Sequence, residues 1–294
     1  MSQNGPLSFD EFKDSNFSDC PHYLVVGQPI SHSLSPLMHN ISLQHHSIDA
    51  EYVAVELTPQ SLPEFIAWIN NEKFLGCNIT IPFKREFLNV PDELSPEVHA
   101  VGAMNTISKN NTGNIIKGSN TDIYGFKVPL DDYEDILDYS RAIIFGTGGA
   151  SLAVQYALME LGFQEIIIVS RSPGTVTPLR ESVYTRVVDY TQWQSFADEA
   201  ELFINTTPLG MGKWIDKSPV EVHDAELLEG RICYDLVYNP LKTKFLSISE
   251  SAGAETIGGL DMLIYQGSRS FEIWTGYTFP FEKVKSQLIN HLVS

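Results

Sequence analysis

Basic residues and cysteines are both scarce in this chain. It has 19 lysines and arginines against 37 aspartates and glutamates, which gives a formal net charge of -18 over 294 residues. A surface of that sign repels phosphate backbones, so no nucleic-acid partner is expected. The three cysteines, Cys20, Cys77 and Cys233, lie far apart and form no C-x-x-C pair. We therefore expect free thiols and neither a disulfide framework nor a zinc site.

Long apolar runs are missing as well. No stretch approaches the roughly 20 apolar residues that a membrane helix needs, so no membrane partner is expected. Residues 1–21 are polar and acidic and lack the basic start and apolar stretch of a secretory signal. We interpret them as an extension with little regular structure. Free thiols and the missing signal favour a cytoplasmic protein, and no residue spacing typical of a metal site occurs.

Strands and helices alternate along the rest of the chain. In the first third, the apolar pattern predicts strands at 22–27, 51–57 and 76–81, with helices near 36–45 and 61–70. A second series has predicted strands at 141–145, 165–170, 201–205 and 231–235, a helix ending near 161 and a last helix near 262–274. Short buried strands separated by helices predict an α/β fold with a doubly wound parallel sheet.

A glycine-rich turn joins the first strand of the second series to the helix after it. Gly146, Gly148 and Gly149 occur in the run GTGGAS, directly after the apolar run RAIIF. Glycines let a backbone approach a phosphate closely, and a helix N-terminus presents unpaired N–H groups. The context therefore predicts a dinucleotide site. Ser151 stands at the third glycine position of G-x-G-x-x-G, where its hydroxyl is a candidate donor to a phosphate.

The end of the next strand bears on the choice of nucleotide. Enzymes that prefer NAD usually carry a carboxylate there, which accepts a hydrogen bond from the ribose 2′-OH. This chain has Ser170-Arg171-Ser172 instead. An arginine can pair with a 2′-phosphate, so the position favours NADP. An ordinary surface arginine is the other interpretation.

Four further segments carry polar side chains that a plain scaffold would not need. Ser33 and Ser35 occur in the run SHSLSP before a predicted helix, where they either bind a carboxylate or cap the helix. Lys84 ends the run NITIPFK, which alternates polar and apolar residues. Asn105 is the last residue but one of the run GAMNT, and Asp122 is the last residue of the run GSNTD.

Together and in this order, the segments resemble the shikimate dehydrogenase family. The matching strings span residues 27–266 and are GQPISHSLSP, NITIPFK, GAMNT, GSNTDIYGF, GTGGAS, NTTPLGM, YNPLKT and GGLDMLIYQG. The resemblance implies an oxidoreductase of aromatic amino-acid biosynthesis that reduces 3-dehydroshikimate to shikimate with NADPH. It also implies two α/β domains. A catalytic, substrate-binding domain would cover 22–125 and 262–294, to which the C-terminal helix returns, and a Rossmann-type NADP-binding domain would cover 126–261.

The resemblance also implies roles for individual residues. Lys84 and Asp122 would form the catalytic pair. The substrate would be bound by Ser33, Ser35, Asn78, Thr80, Asn105, Tyr238 and Gln266. The dinucleotide would be bound by Gly146, Gly148, Gly149, Ala150, Ser151, Arg171, Thr206 and Gly259. The partners implied are small molecules alone, with the chain a monomer or a homodimer.

Three other interpretations stay open. A quinate or quinate/shikimate dehydrogenase would use NAD, and quinate differs from shikimate at the carbon bearing the carboxylate, close to Ser33 and Ser35. A non-catalytic protein that senses shikimate or quinate would need no proton transfer, so the presence of both Lys84 and Asp122 argues against it. A folate-linked dehydrogenase of similar architecture fits the strings SHSLSP and NTD poorly.

Overall fold

The computed structural model describes residues 5–110, 115–179 and 184–293. The chain divides into two compact units, and each is described by itself. Unit 1 comprises Met1–Thr121 and Gln266–Ser294, and unit 2 comprises Asp122–Tyr265. The divisions fall after residues 121 and 265, where the sequence had suggested 125 and 261. No helix in the described part of the chain is long and apolar enough to cross a membrane.

The elements are numbered in chain order. The strands are β1 (Leu7–Ser8), β2 (His22–Gly27), β3 (Glu51–Glu56), β4 (Phe74–Ile79), β5 (Glu93–Leu94), β6 (Thr106–Lys109), β7 (Ile116–Ser119), β8 (Arg141–Phe145), β9 (Glu165–Val169), β10 (Tyr184–Val188), β11 (Leu202–Asn205), β12 (Ile232–Asp235) and β13 (Glu255–Ile257). The α-helices are α1 (Phe9–Lys13), α2 (Ser35–His45), α3 (Leu62–Trp68), α4 (Pro96–Val101), α5 (Asp122–Lys127), α6 (Gly149–Leu161), α7 (Lys244–Ser251), α8 (Gly259–Thr275) and α9 (Phe281–Val293).

Unit 1 is built on a mixed sheet in the order β1-β3-β2-β4-β6-β7-β5. Strands β1, β3, β2 and β4 pair in parallel, whereas β6 is antiparallel to both β4 and β7. The alternation of strands and helices predicted the parallel part. The antiparallel part follows from the short connection between β6 and β7, because a parallel crossover needs a dozen or more residues. Strand β2 is buried along its whole length, as a central strand should be.

Residues 7–13 form a strand and a helix, so the prediction of little regular structure before β2 was wrong for this segment. Strand β1 adds to the edge of the sheet beside β3. Ser8 and Glu11 then form a capping box, in which each side chain accepts from the other residue's backbone N–H. Phe9 and Phe12 are buried, and the ring of Phe9 meets that of Phe65 at 5.5 Å. Two apolar residues three apart suffice to dock this short helix, but they are too few to show a periodic pattern.

Unit 2 is built on six parallel strands in the order β10-β9-β8-β11-β12-β13. This is the dinucleotide-binding order of a doubly wound sheet, with its reversal between β8 and β11. The predicted fold class is therefore confirmed. Ligands bind such sheets outside the carboxyl ends of the strands at that reversal, which here is where β8 leads into the glycine-rich turn.

The C-terminal residues contain one helix more than the sequence predicted. Helix α8 covers the helix expected near 262–274, but α9 follows it. The C-terminal part of α8 lies in unit 1, where Trp274 donates from Nε1 to the carbonyl oxygen of Ile107 at 2.9 Å. Helix α9 contacts α2 in the same unit. It was missed because its apolar stripe is narrow, with Val284 and Leu288 as its buried residues.

Candidate active site

Asn78 lies near the end of β4, and both polar atoms of its side chain form hydrogen bonds. Its side chain is 6% exposed. The amide nitrogen Nδ2 lies 2.9 Å from Ser270 Oγ, 3.1 Å from Thr106 Oγ1 and 3.2 Å from the carbonyl oxygen of Asn105. The amide oxygen Oδ1 accepts from the hydroxyl of Tyr52 at 2.7 Å. The strand thus presents an amide whose position is determined by its neighbours.

Asn105 is fixed in a similar way, at the residue before β6. Its Oδ1 accepts from the backbone N–H of Thr121 at 2.8 Å and from the Thr106 hydroxyl at 3.0 Å. Its Nδ2 donates to Thr121 Oγ1 at 2.9 Å and lies 3.5 Å from Gln266 Oε1. Ser270 Oγ lies 2.9 Å from Thr106 Oγ1 and 3.1 Å from Thr121 Oγ1.

These hydrogen bonds bring three of the predicted substrate residues together in unit 1. We call the whole group the amide cluster, and it consists of Tyr52, Asn78, Asn105, Thr106, Thr121, Gln266 and Ser270. Buried polar groups strengthen one another when every member is satisfied, and such a network holds one arrangement. The cluster therefore provides fixed donors and acceptors of the kind that a polyhydroxylated ring needs.

The two predicted serines flank the start of α2. Ser35 is its first residue and is buried, whereas Ser33 is half-buried. Ser33 Oγ accepts from the backbone N–H of Ser35 at 3.3 Å, and the capping residue is Leu34, whose side chain makes no capping bond. Burial holds the pKa of the Tyr52 phenol well above its ordinary value, and a hydrogen bond with the Ser35 side chain opposes this shift.

Thr80 and Lys84 follow β4 in the chain. Thr80 donates from its backbone N–H to the carbonyl oxygen of Val26, and a Cβ on Gly27 would come within 2.3 Å of its side chain. Only glycine therefore fits beside Thr80 at the end of β2. Lys84 is half-buried, and its carbonyl oxygen accepts from the N–H of Met104 at 2.9 Å. This bond ties the lysine's segment to the residue before Asn105.

Asp122 and Tyr238 belong to unit 2. Asp122 is the first residue of α5 and is buried, and it follows Thr121 of the amide cluster directly in the chain. Tyr238 lies in the loop after β12 and is half-buried, and burial raises the pKa of its phenol.

The glycine-rich turn has two kinds of glycine. Gly146 has φ +112°, and a Cβ there would come within 2.6 Å of Thr206 Oγ1, so both its backbone and its packing require glycine. Around Gly148 and Gly149, by contrast, nothing lies within 4 Å of the position that a Cβ would take. Protein packing does not explain these two glycines. The open space leaves room for a ligand against the first turn of α6, where N–H groups are unpaired.

Three other predicted cofactor residues lie at or near the carboxyl ends of the unit 2 strands. Thr206 donates from Oγ1 to the carbonyl oxygen of Phe145 at 2.8 Å, which ties the ends of β11 and β8 together. Ala150 is half-buried in the first turn of α6. Gly259 begins α8, and a Cβ there would come within 2.3 Å of the carbonyl oxygen of Leu236. Close contact between backbones therefore accounts for this glycine by itself.

Ser151 differs from the role expected of it. Its side chain is fully buried in α6, and its hydroxyl accepts from Gln155 Nε2 at 3.2 Å. A hydroxyl enclosed in this way does not reach a phosphate without a rearrangement of the helix. We therefore remove Ser151 from the candidate phosphate contacts.

Arg171 follows β9 and is exposed. Its guanidinium forms no ion pair with a carboxylate in the described ranges, whereas Arg141 and Arg186 of the same unit both pair with Glu165. Arg171 also acts on Tyr190, where burial raises the pKa of the phenol and the arginine's charge lowers it. An exposed cation at the end of the second strand suits an adenosine 2′-phosphate.

Sequence reasoning missed a second buried network, which lies in unit 2. Asp235 ends β12 and is fully buried, and its carboxyl accepts from Thr243 Oγ1 at 2.6 Å and from Asn205 Nδ2 and the N–H of Val237 at 2.9 Å each. Burial raises the pKa of Asp235 to about 7, against the opposing effect of these bonds. The carboxyl joins the loops after β11 and β12. An aspartate ending an apolar strand was the available signal.

The other residues missed were Tyr52, Thr106, Thr121 and Ser270 of the amide cluster. Thr106 and Thr121 stand inside strings that had already been singled out, next to Asn105 and Asp122. Tyr52 and Ser270 had no local signal, because a tyrosine in a strand and a serine in a helix are both ordinary. Across the described ranges, no group of three or more His, Cys, Asp or Glu side chains is arranged to hold a metal ion.

Comparison with known proteins finds one family in two parts of the chain. A family model for the shikimate dehydrogenase substrate-binding domain matches residues 25–107, and one for the shikimate 5′-dehydrogenase C-terminal domain matches residues 259–289. The chain is 35% identical over 280 residues to a protein named shikimate dehydrogenase (NADP(+)) from Nostoc sp., covering 91% of this chain and 96% of that protein.

Solved structures give the same result. Shikimate 5-dehydrogenase from Thermus thermophilus, in complex with NADP(H) and shikimate, is 32% identical with a TM-score of 0.80, covering 92% of this chain and 99% of that one. The enzyme from Listeria monocytogenes, in complex with shikimate and NAD, is 29% identical with a TM-score of 0.83, covering 92% and 96%. Sequence and structure agree over nearly the whole length, and the chain belongs to the shikimate dehydrogenase family.

Proposed function

We propose that this chain is an NADP-dependent shikimate dehydrogenase, which interconverts 3-dehydroshikimate and shikimate in aromatic amino-acid biosynthesis. The observation that carries the proposal is the amide cluster, in which residues from distant strings of the family pattern form one hydrogen-bonded group. Its partners are small molecules, and its net charge of -18 argues against nucleic acid. We propose that it acts in the cytoplasm as a monomer or a homodimer.

Substrate recognition is assigned mainly to unit 1. The hydroxyls of Ser33 and Ser35 bind the carboxylate, since hydroxyls at a helix start are suitable donors to an anion. The ring hydroxyls are bound by Asn78, Thr80, Asn105 and Gln266, with Tyr238 of unit 2 as a further contact. The support for this assignment is the fixed orientation of the two asparagine amides, because an ordered donor and acceptor pattern distinguishes one hydroxyl arrangement from another.

Cofactor binding is assigned to unit 2. The open space over Gly148 and Gly149, at the start of a helix of 13 residues, fits a pyrophosphate. Gly146, Ala150 and Thr206 shape the turn. The exposed Arg171 pairs with the 2′-phosphate, and the residues present therefore fit NADP. We assign Gly259 to close packing against the backbone of Leu236.

The chemistry needs a hydride and a proton. Reduced nicotinamide supplies the hydride to the carbonyl carbon. Lys84 donates the proton to the carbonyl oxygen as it becomes an alkoxide, and it removes that proton in the reverse reaction. Asp122 is the second residue of the proposed catalytic pair and accepts a hydrogen bond from a ring hydroxyl. Ketone, hydride and proton together balance to the secondary alcohol.

The proposal is tested by incubating the purified chain with shikimate and NADP. The absorbance of the reduced nicotinamide should rise, and mass spectrometry should find the product two hydrogens lighter than shikimate. Binding of shikimate without any turnover would contradict the enzyme and support a sensor. Turnover of quinate with NAD alone would instead support the quinate dehydrogenase.

A further inference from the structure

Tyr52 is a residue of β3 whose backbone and side chain are both held by neighbouring residues. Its side chain is fully buried, and its hydroxyl donates to Asn78 Oδ1 at 2.7 Å. Asn40 of α2 holds its backbone through two hydrogen bonds of 2.8 Å, one to the N–H and one to the carbonyl. The ring stacks on His39 at 4.3 Å with an interplanar angle of 14°. Backbone and ring are both anchored, which holds the hydroxyl against Asn78 Oδ1, with the side chain of Ser35 as its other hydrogen-bond partner.

The polarity of the Asn78 amide follows from its neighbours. The carbonyl oxygen of Asn105 can only accept, so the group that faces it must be the donor Nδ2. Oδ1 then faces Tyr52, whose hydroxyl is its donor within the described residues. Without that hydroxyl, Oδ1 would be buried with no donor, a state that costs free energy. Reversing the amide would give Oδ1 donors in the hydroxyls of Thr106 and Ser270, but it would also set Oδ1 against the carbonyl oxygen of Asn105. The Tyr52 hydroxyl and that carbonyl therefore together hold the amide.

We propose that Tyr52 is a positioning residue for substrate recognition, which holds the amide of Asn78 in the one orientation that suits a ring hydroxyl of shikimate. This rests on the proposed function, since it assumes that Asn78 contacts the substrate. Two hydrogens of Nδ2 face three acceptors within 3.2 Å. A ring hydroxyl therefore replaces the weakest of these bonds and meets a donor. If the amide reverses, the same hydroxyl meets an acceptor.

The chain provides a matched control in Tyr23. It stands directly opposite Tyr52 on the neighbouring strand β2 and is also buried. Its ring stacks on Trp274 at 4.8 Å. Its hydroxyl, however, makes no hydrogen bond to a described residue. Tyr23→Phe and Tyr52→Phe therefore remove the same atom from neighbouring places in the same sheet.

The kinetic experiment compares Tyr52→Phe, Tyr23→Phe, Asn78→Ala and the double variant of Tyr52 and Asn78. Tyr52→Phe should raise KM for shikimate about five- to tenfold, the effect of a buried acceptor left without its donor, while KM for NADP stays within about twofold. Tyr23→Phe should leave both constants within about twofold on the same scale. In the Asn78→Ala background, adding Tyr52→Phe should change KM by less than about twofold, because the residue through which it acts is gone.

A second readout does not depend on turnover. In protein labelled with ¹⁵N-asparagine, the side-chain amide signal of Asn78 is identified by its loss in Asn78→Ala. It should move or broaden in Tyr52→Phe and stay in place in Tyr23→Phe. If the wild type bound no shikimate, the proposed function would fail while this signal still tested the orientation.

Two results would overturn the role of Tyr52. The first is an unmoved amide signal together with an unchanged KM in Tyr52→Phe. The second is a rise in KM of the same size with Asn78 present or absent, which would mean that the hydroxyl acts through Ser35 or supports the fold in general. Loss of one hydroxyl leaves the ring packing in place, and circular dichroism of all four variants checks that they fold.

Discussion

The two units present their functional groups in opposite ways. In unit 1 the side chains of the amide cluster are bonded to one another, and all but Gln266 are buried, such as Asn105 at 3% exposure. In unit 2 the candidate cofactor groups are open glycines at a helix start and the exposed guanidinium of Arg171. The candidate site of unit 1 is formed by side chains in fixed orientations, and the candidate site of unit 2 by backbone N–H groups and a positive charge.

This difference corresponds to the difference between the two ligands. A ring with several hydroxyls is distinguished by where each donor and acceptor stands, so the protein groups must be held still. A pyrophosphate is an anion with many equivalent oxygens, which the N–H groups of a helix start and one cation can bind. Changes in unit 1 should therefore affect shikimate and the fold, and changes near the turn of unit 2 should affect the nucleotide.

The largest expected effect is on the chemical step. Lys84→Ala should lower kcat by about 10²–10⁴-fold, the usual range for loss of a proton donor, with a much smaller change in KM for shikimate. Steady-state kinetics with saturating NADP measures both. Arg85→Ala, which removes the adjacent exposed cation, is the control and should keep kcat. A kcat for Lys84→Ala within about threefold of wild type would exclude Lys84 as the acid and base.

The next effect concerns the stability of unit 1. Phe12 of the N-terminal helix is fully buried. Phe12→Ala should lower the free energy of unfolding by about 3–5 kcal/mol, as a large cavity in a core does. Urea unfolding measures the loss, and Phe17→Ala, at a half-buried position nearby, should lose less. Equal and small losses would restore the interpretation of residues 1–21 as an irregular extension.

The pH dependence of stability should distinguish the buried network of unit 2 from that of unit 1. Asp235 has a pKa of about 7 in the folded chain, raised by burial from an ordinary value of 3.8. Between these pH values the unfolded chain releases a proton that the folded chain keeps, so stability falls as the pH rises from about 4 to 7. Asp235→Asn cannot ionise and should lack this contribution.

The test is the free energy of urea unfolding at pH 5 and pH 7.5 for both proteins. Wild type should lose more stability between the two than Asp235→Asn does, by about 2–3 kcal/mol at roughly 1.4 kcal/mol for each pH unit. Other titrating groups are common to both proteins and cancel. If the free energies of unfolding of wild type and Asp235→Asn changed equally with pH, Asp235 would already be ionised in the folded chain.

Cofactor choice should depend on Arg171. NAD and NADP differ by the 2′-phosphate, and a charge-assisted pair there is worth about 1.5–3 kcal/mol, or about 10- to 150-fold. Arg171→Ala should raise KM for NADP by that order and leave KM for NAD unchanged, and salt should shrink the wild-type preference. Arg186→Ala, whose guanidinium already pairs with Glu165, is the control. A retained NADP preference in Arg171→Ala would remove this assignment.

The smallest effect expected is at the start of α2. Ser33→Ala and Ser35→Ala should each raise KM for shikimate about tenfold, through loss of a hydrogen bond to the carboxylate. An analogue without the carboxylate should be much less sensitive in inhibition assays. Equal losses for both ligands would mean that the serines serve the helix alone.

What the sequence predicted well was local in the chain. Strand, glycine-rich turn and helix follow one another within residues 141–161, and the structure has β8 and α6 there. The buried strands of unit 2 were found for the same reason, because both of their faces are covered and their apolar runs are continuous. These patterns need no knowledge of what the segment touches.

What the sequence did not predict depends on distant contacts. Asn78 bonds to Tyr52, 26 residues away, and to Ser270, 192 residues away. Helix α1 has only five residues, and it forms because its phenylalanines pack into the hydrophobic core of unit 1. The burial of Ser151 could not be foreseen either, because the glycine pattern does not say which side of the helix faces the sheet.

The most direct test of the account compares kcat/KM for shikimate and for quinate, each with NADP and with NAD. The combination of shikimate and NADP should be the best of the four, with NAD poorer by about tenfold or more because it lacks the phosphate that we propose Arg171 to bind. A value for quinate with NAD that equals or exceeds the value for shikimate with NADP would contradict it.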